Sequence, residues 1–369
     1  MRIGIDAHFV GVRHGGNEVH FENLIRQLAR TASNGDEYFV FTYRLAARAR
    51  LGAERLHFVR LASRSVAWQR GVEIPYRAAR LDLDVLHVPF NFLPVHRSKK
   101  VVTIHDVGFL RYPETYAPLE RARMTWLTRL AARRADHVLT VSQAAKREIV
   151  AEYGIADSRV TVAPNAVDRA VFCPLERADT ETFRTRMGLA FPYILFVGTL
   201  QPRKNVLGLL RAYEALGARG RRDHHLVLVG RRGWGVDDVF RFVADRRLDA
   251  LVHHVDGVDT ADLVGFYNAA TVLAYPSLYE GFGVPILEAM SCGCPVVSAD
   301  TASMPEVYGD AALPFDPRSP EALAARLAEV LDDGGGALGA TLVRRGFANC
   351  ARFSWERTAA TVEAVYHAL

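Results

Sequence analysis

Lysine is scarce in this 369-residue chain. Lys99, Lys100, Lys146 and Lys204 are all there is, so arginine carries nearly all the positive charge. Cysteine is as rare: Cys173, Cys292, Cys294 and Cys350. Their one close pair has C-x-C spacing, which is neither a zinc site nor a C-x-x-C dithiol. Reduced, partly buried thiols in a cytosolic compartment are the expectation. No run of about 18 apolar residues exists, which excludes a membrane-spanning helix of ordinary kind. The opening "MRIGIDA" enters an apolar strand directly, so no signal peptide is expected and the chain reads as cytoplasmic. No G-x-G-x-x-G with its acidic partner is present. No D-x-D is placed to hold a metal between phosphates, and "LDLDV" at 81–85 reads as the lead-in to a strand.

What is present is ordinary globular material, 50% hydrophobic and 24% charged. At roughly 100–200 residues per domain, the length implies two domains, each able to bury a core without metals or disulfides. The net charge of +5 is uneven: residues 1–173 hold 26 Lys and Arg against 17 Asp and Glu, and the remainder is net negative. A basic first half calls for an anionic partner there, with nucleic acid and an anionic membrane surface both open on charge alone.

Apolar runs alternate with helical patterns. "RIGIDA", "YFVFTY", "DVLHVP", "VVTIHD", "HVLTVS" and "VTVAPN" read as strands, with helices at 17–31 and 117–134 among them. A break at about 168–192 has no strand pattern. The alternation restarts with "YILFVG", "HLVLVG", "LVHHVDGV", "TVLAYPS" and "PVVSAD", and with helices near 205–219, 236–247, 260–270 and 284–292. Strands alternating with helices argue for parallel sheets, hence an α/β class with domains at 1–173 and 174–354. "DDGGGALGA" reads as a glycine-rich linker, and 355–369 as a closing amphipathic helix.

Ligands of such sheets bind beyond the carboxyl ends of the strands, so the strand-to-helix junctions carry the chemistry. The first junction bears Gly15 and Gly16 ahead of a helix, which suits either an anion or a plain turn. His105 and Asp106 end an apolar strand, where a histidine is either structural or directed to the crevice. Arg203 and Lys204 stand beside a helix start, a good diphosphate site or a solvated basic loop. Arg231 follows another strand-ending glycine and repeats that logic more weakly. The most specific stretch is "YEGFGVPILE". Glu280 and Glu288 flank two glycines and a proline suited to a first helical turn, which leaves loop N–H groups open. Two carboxylates aimed at one ligand accept hydrogen bonds well from sugar hydroxyls.

With these motifs in view, the sequence resembles the retaining glycosyltransferases of family 4. It is most similar to bacterial mannosyltransferase-type members that build O-antigen, exopolysaccharide and glycolipid chains. The resemblance runs through "TIHD", "VSQAAKREI", "VAPNAVD", "FVGTLQPRKN", "LVLVG", "FYNAATVLAYPSLYEGFGVPILEAMSCGCPVV" and "FSWERTA". It implies the GT-B fold, two Rossmann-like parallel-sheet domains facing a central cleft, with helix 355–369 packed back on the acceptor-side N-terminal domain. It also implies roles. Glu280 would meet the donor sugar and Glu288 the nucleotide ribose. Backbone groups of Phe282, Gly283 and Val284 would hold sugar or diphosphate, with Lys204 and Arg203 on phosphate. Gly15 and Gly16 would close on the diphosphate, His105 would sit beside the transferred sugar, and Val258 would contact the base. Many members carry arginine where this chain has Thr199, so the leaving diphosphate must draw its charge from Arg203, Lys204 and Arg231.

The reading is a metal-independent, retaining hexosyltransferase with no cofactor. It would move mannose from GDP-mannose, or a sugar from GDP-rhamnose or a UDP-sugar, to a glycan or lipid-linked acceptor. Front-face transfer is favoured over a covalent intermediate on Glu280, and Asp106 is a candidate for orienting or deprotonating the acceptor. The arginine-rich helix 117–134 suits the inner face of the cytoplasmic membrane or ordinary solvent. Nucleic acid is not expected, for want of a motif or stacking platform. A phosphorylase or epimerase explains "EGFGVP…E" less well. A nucleotide-sugar-binding regulatory protein could dispense with His105 or Glu280, and both are present.

Overall fold

Runs such as Tyr193–Val197 are apolar at every position, which suits a strand covered on both faces rather than one half-exposed. In the computed structural model, which describes residues 1–11, 16–31, 35–52, 55–90, 97–217 and 223–369, such runs form the centres of two parallel sheets. The first contains β1 (Arg2–Asp6), β2 (Glu37–Thr42), β3 (Leu56–Arg60), β4 (Val85–Pro89), β5 (Lys99–Thr103), β6 (His137–Thr140) and β7 (Val160–Val162), in the order β3-β2-β1-β4-β5-β6-β7. The second contains β8 (Tyr193–Val197), β9 (His225–Val229), β10 (Val252–Val255), β11 (Val272–Tyr275), β12 (Val296–Ala299) and β13 (Leu313–Phe315), in the order β10-β9-β8-β11-β12-β13. Both reverse direction once, between β1 and β4 and between β8 and β11. These are the doubly wound sheets of a Rossmann-like pair, and each reversal leaves a crevice at its carboxyl edge.

Of the four edge strands, β3 and β13 escape the sequence reading. β3 is half-exposed, and β13 is three residues long with Pro314 in the middle. Edge strands need only one covered face, so they lack the apolar run that marks the central ones.

The chain divides into two units, Met1–Asn165 with Ser354–Leu369, and Ala166–Phe353. The division falls earlier than the 173/174 boundary drawn from the sequence. Hydrogen bonds tie 172–175 to the second unit: Ser291 Oγ to the Phe172 carbonyl at 2.5 Å, Asn268 Nδ2 to the Cys173 carbonyl at 3.0 Å, and the Leu175 N–H to Asn268 Oδ1 at 2.8 Å. The glycine-rich linker "DDGGGALGA" joins two helices. Its aspartates end the helix Pro320–Asp333, its glycines turn the chain, and Ala337–Cys350 is the next helix, all within the second unit.

In the first unit, the helices Gly16–Thr31 and Trp355–His367 cover one face of the sheet. Phe21, Leu24 and Leu28 pack there with Ala359, Val362 and Tyr366. The other face buries Ile74 and Ala78 with Ala131, Ala132 and Ile149. The C-terminal helix is held by polar contacts as well: Tyr366 OH lies 2.6 Å from His87 Nδ1, and Tyr38 OH donates to Glu363 Oε1 at 2.9 Å.

Candidate active site

In the second unit, β8 and β11 are neighbours, so the loops that follow them meet at the reversal. The loop after β8 carries Arg203 and Lys204 in a single 3-10 turn, Pro202–Lys204. The loop after β11 carries Glu280. The carboxylate is buried between the two cations. Lys204 Nζ donates to Oε1 at 2.5 Å, and Arg203 NH1 donates to Oε2 at 3.0 Å and to the Tyr279 carbonyl at 2.5 Å. Lys204 also donates to Tyr275 OH at 3.4 Å and lies 5.4 Å from the centre of that ring. Burial alone would push the Glu280 carboxyl up. The charges of Arg203 and Lys204 outweigh it and hold the carboxyl down to about 2. A carboxylate has about four lone-pair sites, so two ion-pair contacts leave acceptor capacity for a ligand hydroxyl.

Two residues with no obvious sequence signal fix these loops. Asn205 adopts the left-handed region at φ 55° and donates from Nδ2 to the carbonyls of Pro276, at 3.2 Å, and Pro317, at 2.9 Å. Buried Ser303 has its hydroxyl 2.8 Å from the Glu280 carbonyl and 3.0 Å from that of Phe282. The glycine after β9 has a reason of its own. A Cβ on Gly230, at φ 142°, would stand 2.1 Å from the Gly198 carbonyl oxygen, so the loops after β8 and β9 touch only because Gly230 has no side chain.

Gly283, at φ 105°, turns the chain into the helix Val284–Ser291, with Pro285 in its first turn. N–H groups at Phe282, Gly283 and Val284 therefore precede or open a helix, where the intrahelical ladder has no acceptor for them. One turn further, Glu288 is partly exposed and accepts from Tyr267 OH at 2.7 Å. Burial pushes its carboxyl up to about 7, opposed by that hydrogen bond. The two glutamates of one motif thus ionise at opposite ends of the carboxylate range, because the cations beside Glu280 outweigh its burial, whereas at Glu288 burial outweighs the hydrogen bond from the phenol. Val258 follows β10 in a loop on the same carboxyl edge of the sheet. Thr199 directly follows Gly198, and Arg231 is exposed in the loop after β9.

In the first unit, His105 follows β5 and stands edge-on to His20 at 4.7 Å between ring centres. Desolvation, with His20 and His87 nearby, keeps its pKa well below the ordinary 6.5, so the ring is neutral at physiological pH. Its Nε2 is buried and makes no hydrogen bond among the described residues. His20 is buried as well, pushed down to about 4, and its Nδ1 lies 2.6 Å from Asn165 Oδ1. Asp106 accepts from the Gly108 N–H at 2.8 Å, which gives it a local role at the start of the helix Gly108–Arg111. At the reversal of this sheet, fully buried Asp6 ends β1 between His8 Nδ1, at 2.9 Å, and Arg70 Nε, at 3.1 Å. Gly16 opens the helix Gly16–Thr31; Gly15 lies outside the described residues. His20, Asp6, Asn205 and Ser303 were all missed by sequence reasoning. Of these, Asn205 directly follows Arg203 and Lys204 in "FVGTLQPRKN" and His20 stands four residues after Gly16, whereas nothing in the sequence singles out their partners.

Two doubly wound parallel sheets, one with a Lys–Glu–Arg cluster at its reversal, define a GT-B glycosyltransferase. Residues 14–171 match the family model Glycosyltransferase Family 4, and residues 179–345 match Glycosyl transferases group 1. The O-antigen chain mannosyltransferase B of Escherichia coli is 36% identical over 283 residues, 76% of this chain and 73% of that protein. The serotype-specific mannosyltransferase WbdA of Escherichia coli is 29% identical over 265 residues, 71% of this chain but 32% of that longer protein. The crystal structure of Anabaena HepE in complex with UDP-glucose matches with a TM-score of 0.80 over all of both chains, at 17% identity, a likeness of fold. The chain belongs to the family 4 glycosyltransferases and is a hexosyltransferase.

Proposed function

We propose that the protein transfers mannose from GDP-mannose, with retention and without a metal, to a glycan or lipid-linked acceptor in O-antigen or related polysaccharide assembly. The observation that carries the reading is the Lys204–Glu280–Arg203 cluster at the β8/β11 reversal. Breaking the bond from C1 to the diphosphate needs charge stabilisation on the leaving oxygen. Preorganised cations and N–H groups in a dry site supply it. Glu280 holds both cations in place and keeps acceptor capacity for a sugar hydroxyl, while Glu288 takes the ribose. Phe282, Gly283 and Val284 present N–H groups to sugar or diphosphate, and Val258 meets the base. Arg203 and Lys204, with Arg231, supply the charge that many relatives draw from an arginine at the position of Thr199, so no divalent cation is called for.

With Glu280 committed to two cations, its carboxylate is poorly disposed as a nucleophile. That supports front-face transfer, in which the departing phosphate takes the acceptor proton. His105, neutral and with no hydrogen bond to Nε2 among the described residues, offers that nitrogen to a hydroxyl of the transferred sugar. Asp106 orients the acceptor. Mannose is supported by the relationship to O-antigen chain mannosyltransferase B. Thermal-shift titration with GDP, UDP, ADP and their sugars tests the donor. GDP-mannose should give the largest stabilisation, a larger shift with GDP-rhamnose or a UDP-sugar reassigns it, and no shift with any nucleotide overturns the reading. Proton NMR of the product's anomeric signal tests retention.

A further inference from the structure

Arginine lines two adjoining cavities of the first unit that the donor chemistry does not use. One, of about 680 Å³, opens along the outer side of edge strand β3, against the helix Ile74–Arg80, with Arg60, Tyr76, Arg77 and Arg80 in its walls. The other, of about 550 Å³, shares Arg60 and Ala62 with it and adds Tyr43, Arg44 and Arg64. Among the described residues no strand covers β3 on that side, so the two form a groove along the end of the sheet. Its inner end reaches the first strand-to-helix junction, where Arg44 NH1 donates to the Gly11 carbonyl at 3.3 Å.

The charge in this groove is unbalanced. None of its five arginines makes an ion pair with a carboxylate among the described residues. Arg44 and Arg80 spend hydrogen bonds on the phenols of Tyr43, at 2.9 Å, and Tyr76, at 3.0 Å. Glu73, beside the groove, accepts from the N–H groups of Ala62, at 2.8 Å, and Ser63, at 3.0 Å. Planar arginine forks without carboxylates match phosphate oxygens.

The rim is apolar in a regular way. Trp68, Val72 and Tyr76 recur every four residues on the outer side of the helical stretch 66–80, exposed by 55%, 44% and 60%. Ile74 and Ala78 of the same stretch are buried on the sheet. The helix Pro118–Arg134 packs on that same sheet face through Ala131 and Ala132, and exposes Leu119 and Trp126 beside Arg121, Arg123 and Arg129. Exposed tryptophan and tyrosine with flanking arginines suit the boundary between lipid headgroups and acyl chains.

We propose that the groove binds the phosphate or diphosphate head of a lipid-linked acceptor, with Trp68, Val72 and Tyr76 set against the lipid. It rests on the transferase reading only in calling the ligand an acceptor, since binding is read without donor or turnover. The experiment is flotation with phosphatidylcholine vesicles doped with phosphatidic acid, or with phosphatidylglycerol at matched surface charge, with soluble pyrophosphate as competitor. The expected result is binding that favours the phosphomonoester lipid at physiological salt and is released by pyrophosphate. Arg60→Gln with Arg77→Gln should weaken it roughly thirtyfold. The nucleotide thermal shift should stay unchanged, which separates failure here from failure of the transferase reading. Arg60→Lys with Arg77→Lys, which keeps charge but not the fork, should lose the phosphatidic acid preference. Trp68→Ser with Val72→Ser should lose the vesicles and keep pyrophosphate. Absence of vesicle binding at low salt, pyrophosphate binding without vesicle binding, or equal binding to both anionic lipids that the arginine changes leave intact would each overturn the proposal.

Discussion

Lys204 and Arg203 face one carboxylate, which compensates both. Removing that carboxylate leaves two buried cations uncompensated, at a cost of about 3–5 kcal/mol. Glu280→Ala should therefore lower the melting temperature as well as activity. Lys204→Ala should act differently. It leaves Glu280 paired with Arg203, so the fold holds better, while kcat falls by roughly 10²–10³ as charge stabilisation of the leaving group is lost. Steady-state kinetics with thermal melts on both variants checks the contrast. The pH response separates the two glutamates. Glu280 is held at about 2 against an ordinary 4.5, so its stabilisation is present above 4.5 and lost as pH falls toward 2. Glu288 is raised to about 7, so ionising it costs the fold; that cost is absent below 4.5 and complete above 7. Glu288→Gln should gain stability relative to the parent as pH rises from 5 to 8, read by urea unfolding at each pH. If ribose hydroxyls donate to the ionised form, nucleotide binding at pH 7 releases protons, and the calorimetric enthalpy depends on the buffer. That dependence should vanish in Glu288→Gln.

At the scale of elements, the site is a set of loops held at a common edge by contacts that small residues permit. Gly230→Ala places a Cβ against the Gly198 carbonyl, and neither backbone can yield without parting β8 from β9. The expected cost is about 1–3 kcal/mol or more, with nucleotide affinity falling alongside; an unchanged melting temperature would show that the loops are free to separate. Gly208 has a comparable reason: its missing side chain makes room for Asn205, whose amide binds Pro276 and Pro317. Much at this scale is legible in the sequence. The central strands fall where apolar runs were marked, and the helix after "EGFGVP" begins at Val284 behind its proline-and-glycine signal. The clamps are not legible. Ser303 and Asn205 are ordinary polar residues in one-dimensional order, and their partners lie 21 to 112 positions away.

On the scale of the whole molecule, the first unit is completed by the last helix of the chain. Ala359, Val362, Val365 and Tyr366 belong to the same core as Ile3, Ile5 and Leu24. Ending the chain after Phe353 should destabilise residues 1–165 selectively. Hydrogen exchange should quicken across β1, β2 and the helix Gly16–Thr31, while the second unit keeps its protection and its nucleotide-induced shift. Loss of protection in both units alike would show that they do not unfold independently. Among the described residues no helix is long and apolar enough to cross a membrane.

By itself the sequence determined the class, the alternation of strand and helix, and the segments that bear the chemistry. Apolar periodicity, strand-ending glycines and the Glu-Gly-Phe-Gly-x-Pro run are local patterns, and local patterns survive in one dimension. Only the tertiary structure decided which charges meet. The crossovers of a parallel sheet set β8 beside β11, and that adjacency alone puts Lys204 and Arg203 on Glu280 while Glu288, eight residues on, is left to a tyrosine. The opposite shifts of two identical side chains follow from those surroundings, with cations outweighing burial at Glu280 and burial outweighing the tyrosine's hydrogen bond at Glu288, and no composition or spacing encodes them.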